Sequence, residues 1–452
     1  MTTKTVPSFL FISLLALMPA AAGAPAHASL VLPDMSSTRL LNDLQVYVAS
    51  TPYLGESMTI GLVVRYGSAF DPANKGGEAY LTSRMLAKAT LDKTAKDIKD
   101  ELTLLKATVE TRCDWDGIRI LMQVPSAAYE RSLLLLYQVV CEAKFEEADL
   151  AQVKAELMKQ LQAPEDARQR ARSLFEAELF RGTTYGRSLR GSPASVQKIL
   201  IGDVRYFHRH YFSPDQTSLV VVGSAPAQTV LQKVRRIWGV WVRSEEIPFT
   251  FLPPREPAAR NIFLEDDPGS PGAQFILGNL WPGRGDAQYY PSMLAVRILQ
   301  ERLTRALPTS LLTVAAEGRR LHGPFFVQGQ AAADQAVGEI ERILDAVETL
   351  KTSGVSAEEV SKAQAQSIEE FDKSITSTEG ICGALLDAEL YRLGINYLAT
   401  FPEFVQRSTP AAVKEAAKRF LMAGGLVLIV RGPAATLKPQ LEALGTVQAL
   451  KR

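Results

Sequence analysis

The sequence predicts an α+β protein built from two similar halves, each a mostly antiparallel sheet with helices packed on one face. Three observations predict it: a segment that recurs about 200 residues further on, strands that come in pairs followed by pairs of helices, and a proline-rich stretch between the two sets.

The recurrence is read directly. "DVRYFHRHYFSPDQTSLVVVG" aligns without a gap on "AVKEAAKRFLMAGGLVLIVRG", placing Val204 on Val413, Tyr211 on Phe420, Leu219 on Leu428 and Gly223 on Gly432. Each copy reads as an amphipathic helix, a short turn and a buried strand closed by glycine. A second pair, "FEEADLAQVKAEL" from Phe145 and "VSAEEVSKAQAQS" from Val355, aligns at nearly the same offset. Both open with acids, as helix N-termini favour. Between the halves, Pro248, Pro253, Pro254 and Pro257 make residues 244–260 a stiff extended linker. The halves are then 29–243 and 261–452.

In the first half "LQVYVAS" and "MTIGLVVRYGSA" are apolar, β-branched runs that read as paired strands. A helix follows over Glu78 to Lys88, then strands "ATVETRCD" and "GIRILMQV". The helix "SAAYERSLLLLYQVVCEA", a long helix from Ala148, and the closing helix and strand complete it. In the second half "NIFLED", "AQFILGN", "LLTVAAEG" and "PFFVQGQA" supply the strands.

At the N-terminus Lys4 precedes the apolar run Phe9 to Met18, and Ala26-His27-Ala28 has small residues where a signal peptidase cuts. Residues 1–28 therefore read as a secretory signal, with a mature start near Ser29 and a periplasmic location. No later segment is long and apolar enough to span a bilayer. Removing the signal takes away one lysine and no acid, which brings the formal net charge from +1 to zero. A balanced chain offers no electrostatic attraction for nucleic acid.

In an oxidising compartment Cys113 and Cys141 have the option of pairing, leaving Cys382 free; three buried thiols are the alternative. There is no Gly-x-Ser-x-Gly elbow and no phosphate-cradling glycine loop. After the signal only His208, His210 and His322 remain. The first two lie two apart on a helix and point to different faces, so they do not form a metal pair.

The stretch "YGSAFDPANKGGEAYLTSRMLAKAT" resembles the first active-site segment of the M16 peptidases, the insulinase and mitochondrial processing peptidase family. That segment ends in Gly-x-Ala-His-x-x-Glu-His-Met-Leu, and Gly77, Ala79, Met85 and Leu86 match its frame. "GTTYGRSLRGSPASVQKILIGDVRYFHRHYFSPDQTSLVVVG" resembles a later stretch of the family, and the duplicated half, linker and length agree. The resemblance implies two LuxS/MPP-like metallohydrolase halves. It also implies a zinc site in which two histidines of one helix and a glutamate about seventy-six residues further on hold the metal, and a second glutamate is general base.

At those positions this sequence carries Tyr80 and Arg84 for the histidines, Ser83 for the base and Gln160 for the distant glutamate. A neutral phenol is a poor zinc ligand, a guanidinium repels the cation, a serine cannot take a proton as a carboxylate does, and an amide offers no anion. The expectation is a zinc-free chain, catalytically silent by itself. The family's Arg and Tyr that hold substrate in the second half have no evident counterpart; Pro308 and Thr313 fall near their places. The resemblance further implies a partner, a zinc-containing M16 subunit with which the chain forms a peptide-processing chamber. It also implies that the strand "ATVETRC" can take a peptide or unfolded polypeptide as an added strand, through Thr108, Val109 and Glu110. A stand-alone peptide-binding or scaffold protein of the same fold is the alternative, and an active peptidase with unusual ligands a third.

Overall fold

The computed structural model describes residues 31–245, 252–422 and 425–450. The signal reading of residues 1–28 and the middle of the linker, residues 246–251, lie outside the described residues. From Pro33 onward the chain is one compact unit.

The first half holds six strands, β1 (Asp34–Arg39), β2 (Gln45–Ser50), β3 (Ser57–Val64), β4 (Thr108–Cys113), β5 (Ile118–Pro125) and β6 (Thr217–Gly223). Its helices are α1 (Glu78–Met85), α2 (Ala95–Leu104), α3 (Tyr129–Cys141), α4 (Glu147–Gln162), α5 (Ala167–Leu179), α6 (Pro193–Lys198), α7 (Ile201–Tyr211) and α8 (Ala227–Trp238). The second half holds β7 (Arg260–Asp266), β8 (Gly272–Trp281), β9 (Thr313–Ala316), β10 (Gly323–Ala332), β11 (Leu426–Gly432) and β12 (Val447–Ala449). Its helices are α9 (Tyr289–Ala306), α10 (Ala336–Ser353), α11 (Ala357–Ser374), α12 (Thr378–Leu390), α13 (Tyr397–Gln406), α14 (Pro410–Phe420) and α15 (Ala434–Leu441).

The sheets run β1-β2-β6-β3-β5-β4 and β12-β7-β11-β8-β10-β9. Five strands of each half therefore share one topology, and the repeated segments are α7–β6 and α14–β11. Each sheet is mixed: β2 lies parallel to β6 and β7 parallel to β11, while the β3–β6, β3–β5 and β4–β5 pairs are antiparallel. The sixth strand comes from opposite ends of the halves, since β1 precedes its sheet and β12 follows its own.

Side chains alternate across the pleat. Met58, Ile60, Leu62 and Val64 of β3, Ile118, Ile120 and Met122 of β5 and Leu219 and Val221 of β6 share the core with the half's own helices. The half's own helices pack on one face, and β3 and β6 are buried on the other as well. Helix α12 of the second half crosses it. A Cβ on Gly61 would stand 2.3 Å from Cys382 Sγ, so only glycine admits the helix there. Thr59 donates to Thr378 at 2.9 Å, and Arg119 pairs with Asp387 at 2.7 Å.

The exchange is reciprocal. Helix α5 lies on the second sheet, where Ala171, Phe175 and Leu179 pack with Ile276, Leu280, Phe326, Val427 and Ile429. Burying each large apolar side chain contributes about 1.5–3 kcal/mol. Arg170 pairs with Glu265 at 3.1 Å, and the Arg172 guanidinium lies 3.9 Å from the centre of the Phe326 ring.

Candidate functional site

Helix α1 is short and is held by its first turn. Asp71 accepts hydrogen bonds from the N–H groups of Gly77, at 2.7 Å, and Ala79, at 2.8 Å, satisfying donors that the helix cannot satisfy itself. Gly77 caps the helix at φ 97°, and a Cβ there would sit 2.6 Å from Arg190 O. Gly191 faces Gly76 O more closely still, and Ser195 Oγ donates to Gly76 O at 2.8 Å. The glycine frame is thus a backbone-to-backbone clamp between residues 76–77 and 190–191, built from main-chain groups and the Ser195 hydroxyl. Under the helix, Tyr66, Phe70, Phe207 and Tyr211 form an aromatic bed with ring centres 4.5–5.5 Å apart.

The four positions differ in setting. Tyr80 is half-buried against the core, and Arg84, one turn on, is exposed. Ser83 is buried, and its Oγ donates to Tyr80 O at 2.7 Å. Gln160, near the end of α4, is exposed, and its Oε1 accepts from Arg190 Nη1 at 3.5 Å. Helices α1 and α4 pack together, and Arg190 links Gln160 to the N-terminus of α1. The serine hydroxyl is spent on its own helix. No carboxylate or imidazole stands among these four, so they do not fit zinc, which needs several such donors around one point. Among the described residues, no three His, Cys, Asp or Glu side chains come together as a metal-binding group.

Two carboxylates escaped the sequence reading. Glu78 is buried, and one of its oxygens has no hydrogen-bond partner. Burial first, then the nearby Asp203, pushes its carboxyl up to about 7, against the pull of Lys75. Burial also pushes Asp71 up to about 7, although the backbone donors of α1 oppose it. An acid six residues ahead of the capping glycine was the only sequence signal for Asp71.

His208 is wedged between Phe145 and Phe212, with Nε2 2.7 Å from Val140 O; burial lowers it to about 4. His210 stacks on Tyr206. Cys113, Cys141 and Cys382 are all free thiols. Thr313 accepts a hydrogen bond from Arg168 of α5, and Pro308 is exposed.

Strand β4 is the edge of the first sheet. Among the described residues it is paired only with β5, from Thr108 opposite Gln123 to Cys113 opposite Ile118, and it packs near α1. Thr108 and Glu110 are exposed, Val109 packs on the core, and Glu110 pairs with Arg112 at 2.7 Å.

Comparison with known proteins bears on this frame. Residues 47–192 match the family described as Insulinase (Peptidase family M16), and residues 198–367 match the Peptidase M16 inactive domain. The chain belongs to the M16 peptidase family. It is 22% identical over 192 residues to cytochrome b-c1 complex subunit 1 of Caenorhabditis elegans, covering 42% of this chain and 40% of that protein. It is 20% identical over 275 residues to a probable mitochondrial-processing peptidase subunit beta of Arabidopsis thaliana, covering 60% and 50%. The chain thus spans about half the length of these curated relatives. A peptidase M16 inactive domain from Pseudomonas fluorescens superposes with a TM-score of 0.81 at 20% identity, over 88% of this chain and 98% of that one. The periplasmic protease PqqL of Escherichia coli superposes at 0.73 and 15% identity, over 94% and 52%. At such identities the solved structures show a shared fold.

Proposed function

We propose that this chain is a zinc-free, non-catalytic M16 subunit that pairs with a zinc-bearing M16 chain and encloses with it a peptide-processing chamber. The observation that carries the reading is the contrast within the first half: the clamp that fixes α1 is complete, while Tyr80, Ser83, Arg84 and Gln160 offer no donor set for a metal. Two relatives are by name subunits, which supports a role inside an assembly. Similarity to a protease described as periplasmic, together with the signal-like residues 1–28, supports a periplasmic location.

Substrate contact falls to the free edge of β4. A peptide added beside Thr108, Val109 and Glu110 would gain backbone hydrogen bonds that need no particular side chain. The same edge also supports the alternative, a stand-alone periplasmic peptide-binding or scaffold protein, because strand addition needs no second chain.

Purification from the native host decides between them. The subunit reading expects a second M16 chain with intact His-x-x-Glu-His to co-purify, and peptidase activity to need both chains. A monomer that captures peptides unaided favours the alternative. Stoichiometric zinc and peptidase activity in the isolated chain overturn both.

A further inference from the structure

Where the two halves meet, a cavity of about 370 Å³ is lined by three arginines, Arg65, Arg320 and Arg392. Leu390 and Tyr391 form an apolar wall, and among the described residues no carboxylate lines the space. The site exists only because the halves associate: Arg65 follows β3 of the first, Arg320 precedes β10 of the second, and Arg392 follows α12.

Two of the guanidinium groups are fixed. Arg65 donates to Asp215 O at 3.3 Å, Ser218 Oγ at 3.1 Å and Glu389 Oε2 at 3.3 Å, and its buried Nε has no partner. Arg320 Nη2 donates to the main-chain oxygens of Arg65 and Asp116, each at 3.0 Å. The acids behind the cavity are already engaged. Glu389 holds Arg65 and Ser218, and Asp116 accepts from the Arg320 N–H and from Tyr185. Arg392 is exposed and adds a third positive charge. Burial draws Arg65 and Arg320 below the ordinary guanidinium range; like charge adds to it, from Arg392 on Arg65 and from Arg65 on Arg320, while Glu389 and Asp116 oppose it.

Arg392 also sits at φ 56°, the left-handed position after a helix where glycine is the usual residue. A side chain is kept at a position that disfavours one, an outlier that points to use.

We propose that this cavity binds a carboxylate bearing a compact apolar group, the chemistry presented by the C-terminal residue of a peptide. A planar guanidinium fork matches a carboxylate, the volume lies in the range of ligand sites, about 300–1,000 Å³, and Leu390 with Tyr391 receives the apolar group.

Calorimetry on the purified full chain tests this with four probes: an N-acetylated tripeptide ending in leucine, its C-terminal amide, 4-methylpentanoate and inorganic phosphate. Binding of either carboxylate supports the site, and the tighter of the two names its source. The amide is expected to bind at least roughly tenfold more weakly than the free acid, the loss of one charge-assisted contact. Arg392→Gly relieves the left-handed backbone, so the variant should fold at least as well and bind the carboxylate roughly tenfold more weakly. An amide that binds equally, phosphate that binds as tightly, no binding of any probe, or an R392G chain with unchanged affinity overturns the proposal. No zinc-bearing partner is present in this experiment, so its outcome is separate from that of the pairing.

Discussion

Helix pairs α1/α4 and α9/α11 occupy the same place in their halves and are fixed by different means. The offset that aligns the two long helices carries Gln160 onto Glu370. Between α9 and α11, Arg297 pairs with Glu370, Arg302 with Glu359 at 2.8 Å and Lys362 with Glu301 at 2.5 Å. Between α1 and α4 no ion pair occurs among the described residues. There the helix is fixed through its backbone at one end, by Asp71 and the glycine clamp, and Arg84 and Gln160 are left facing solvent. A helix pair locked along its length by side chains has no groups to spare for a ligand. One locked at its end by backbone keeps its outer face unencumbered.

The largest test installs the chemistry that the first pair lacks. Tyr80→His, Ser83→Glu, Arg84→His and Gln160→Glu together should take zinc affinity from unmeasurable to nanomolar, about 12 kcal/mol, read by metal analysis after dialysis. Burying a glutamate at Ser83 costs a few kcal/mol, on the order of 2, which the metal exceeds. A folded quadruple variant without zinc would show that α1 and α4 do not present these positions to one point. The second pair admits no such change until three ion pairs are broken.

Breaking one of those pairs is the next effect in size. Hydrogen bonds from Arg302, chiefly, hold the Glu359 carboxyl down at about 2. A carboxylate with a depressed folded value adds stability above its unfolded value, and that stability is lost as pH falls towards the folded one. Arg302→Met should therefore lower stability by on the order of 2 kcal/mol at pH 7, with the gap to the parent closing between pH 4.5 and 2. Denaturant titration across that range reads it.

The first pair should show the opposite slope. Glu78 has a raised value of about 7, so its ionisation opposes folding: stability is highest below its unfolded value and falls as pH rises through 7. Glu78→Gln should raise stability at pH 8 by about 1 kcal/mol and flatten the dependence between pH 5 and 8. A variant whose melting still tracks pH as the parent does would assign the slope to Asp71. Smallest of all, Arg84→Ala should change stability by less than about 0.5 kcal/mol, since the side chain is exposed. Denaturant titration at pH 7 reads it.

Much of the fold was legible because its signals are local. The runs at β2, β3, β5 and β6 and their counterparts declare themselves by β-branched content and closing glycines, and the repeat of α7–β6 in α14–β11 gave the two halves. The short strands β1 and β12 were missed; "DMSSTR" and "VQA" have no apolar face to mark them. The stripe Ala171, Phe175, Leu179 on α5 is visible at helical spacing, but nothing local says that it covers the other half's sheet. The frame residues Gly77, Ala79, Met85 and Leu86 place Tyr80, Ser83 and Arg84 on one helix from sequence, whereas the inward turn of Ser83 depends on packing. Arg65, Arg320 and Arg392 meet only through the seam, so no window of sequence unites them.

The exchanged helices bear on how this polypeptide is made. Ribosomes deliver β3 and β6 long before α12, so the first sheet emerges with one greasy side unshielded until residue 390 has left the tunnel. Long-range closure of this kind slows folding and invites aggregation. A fragment ending at residue 245 should bind a hydrophobic dye that the whole protein ignores, and a holdase chaperone should be a routine companion of the nascent chain.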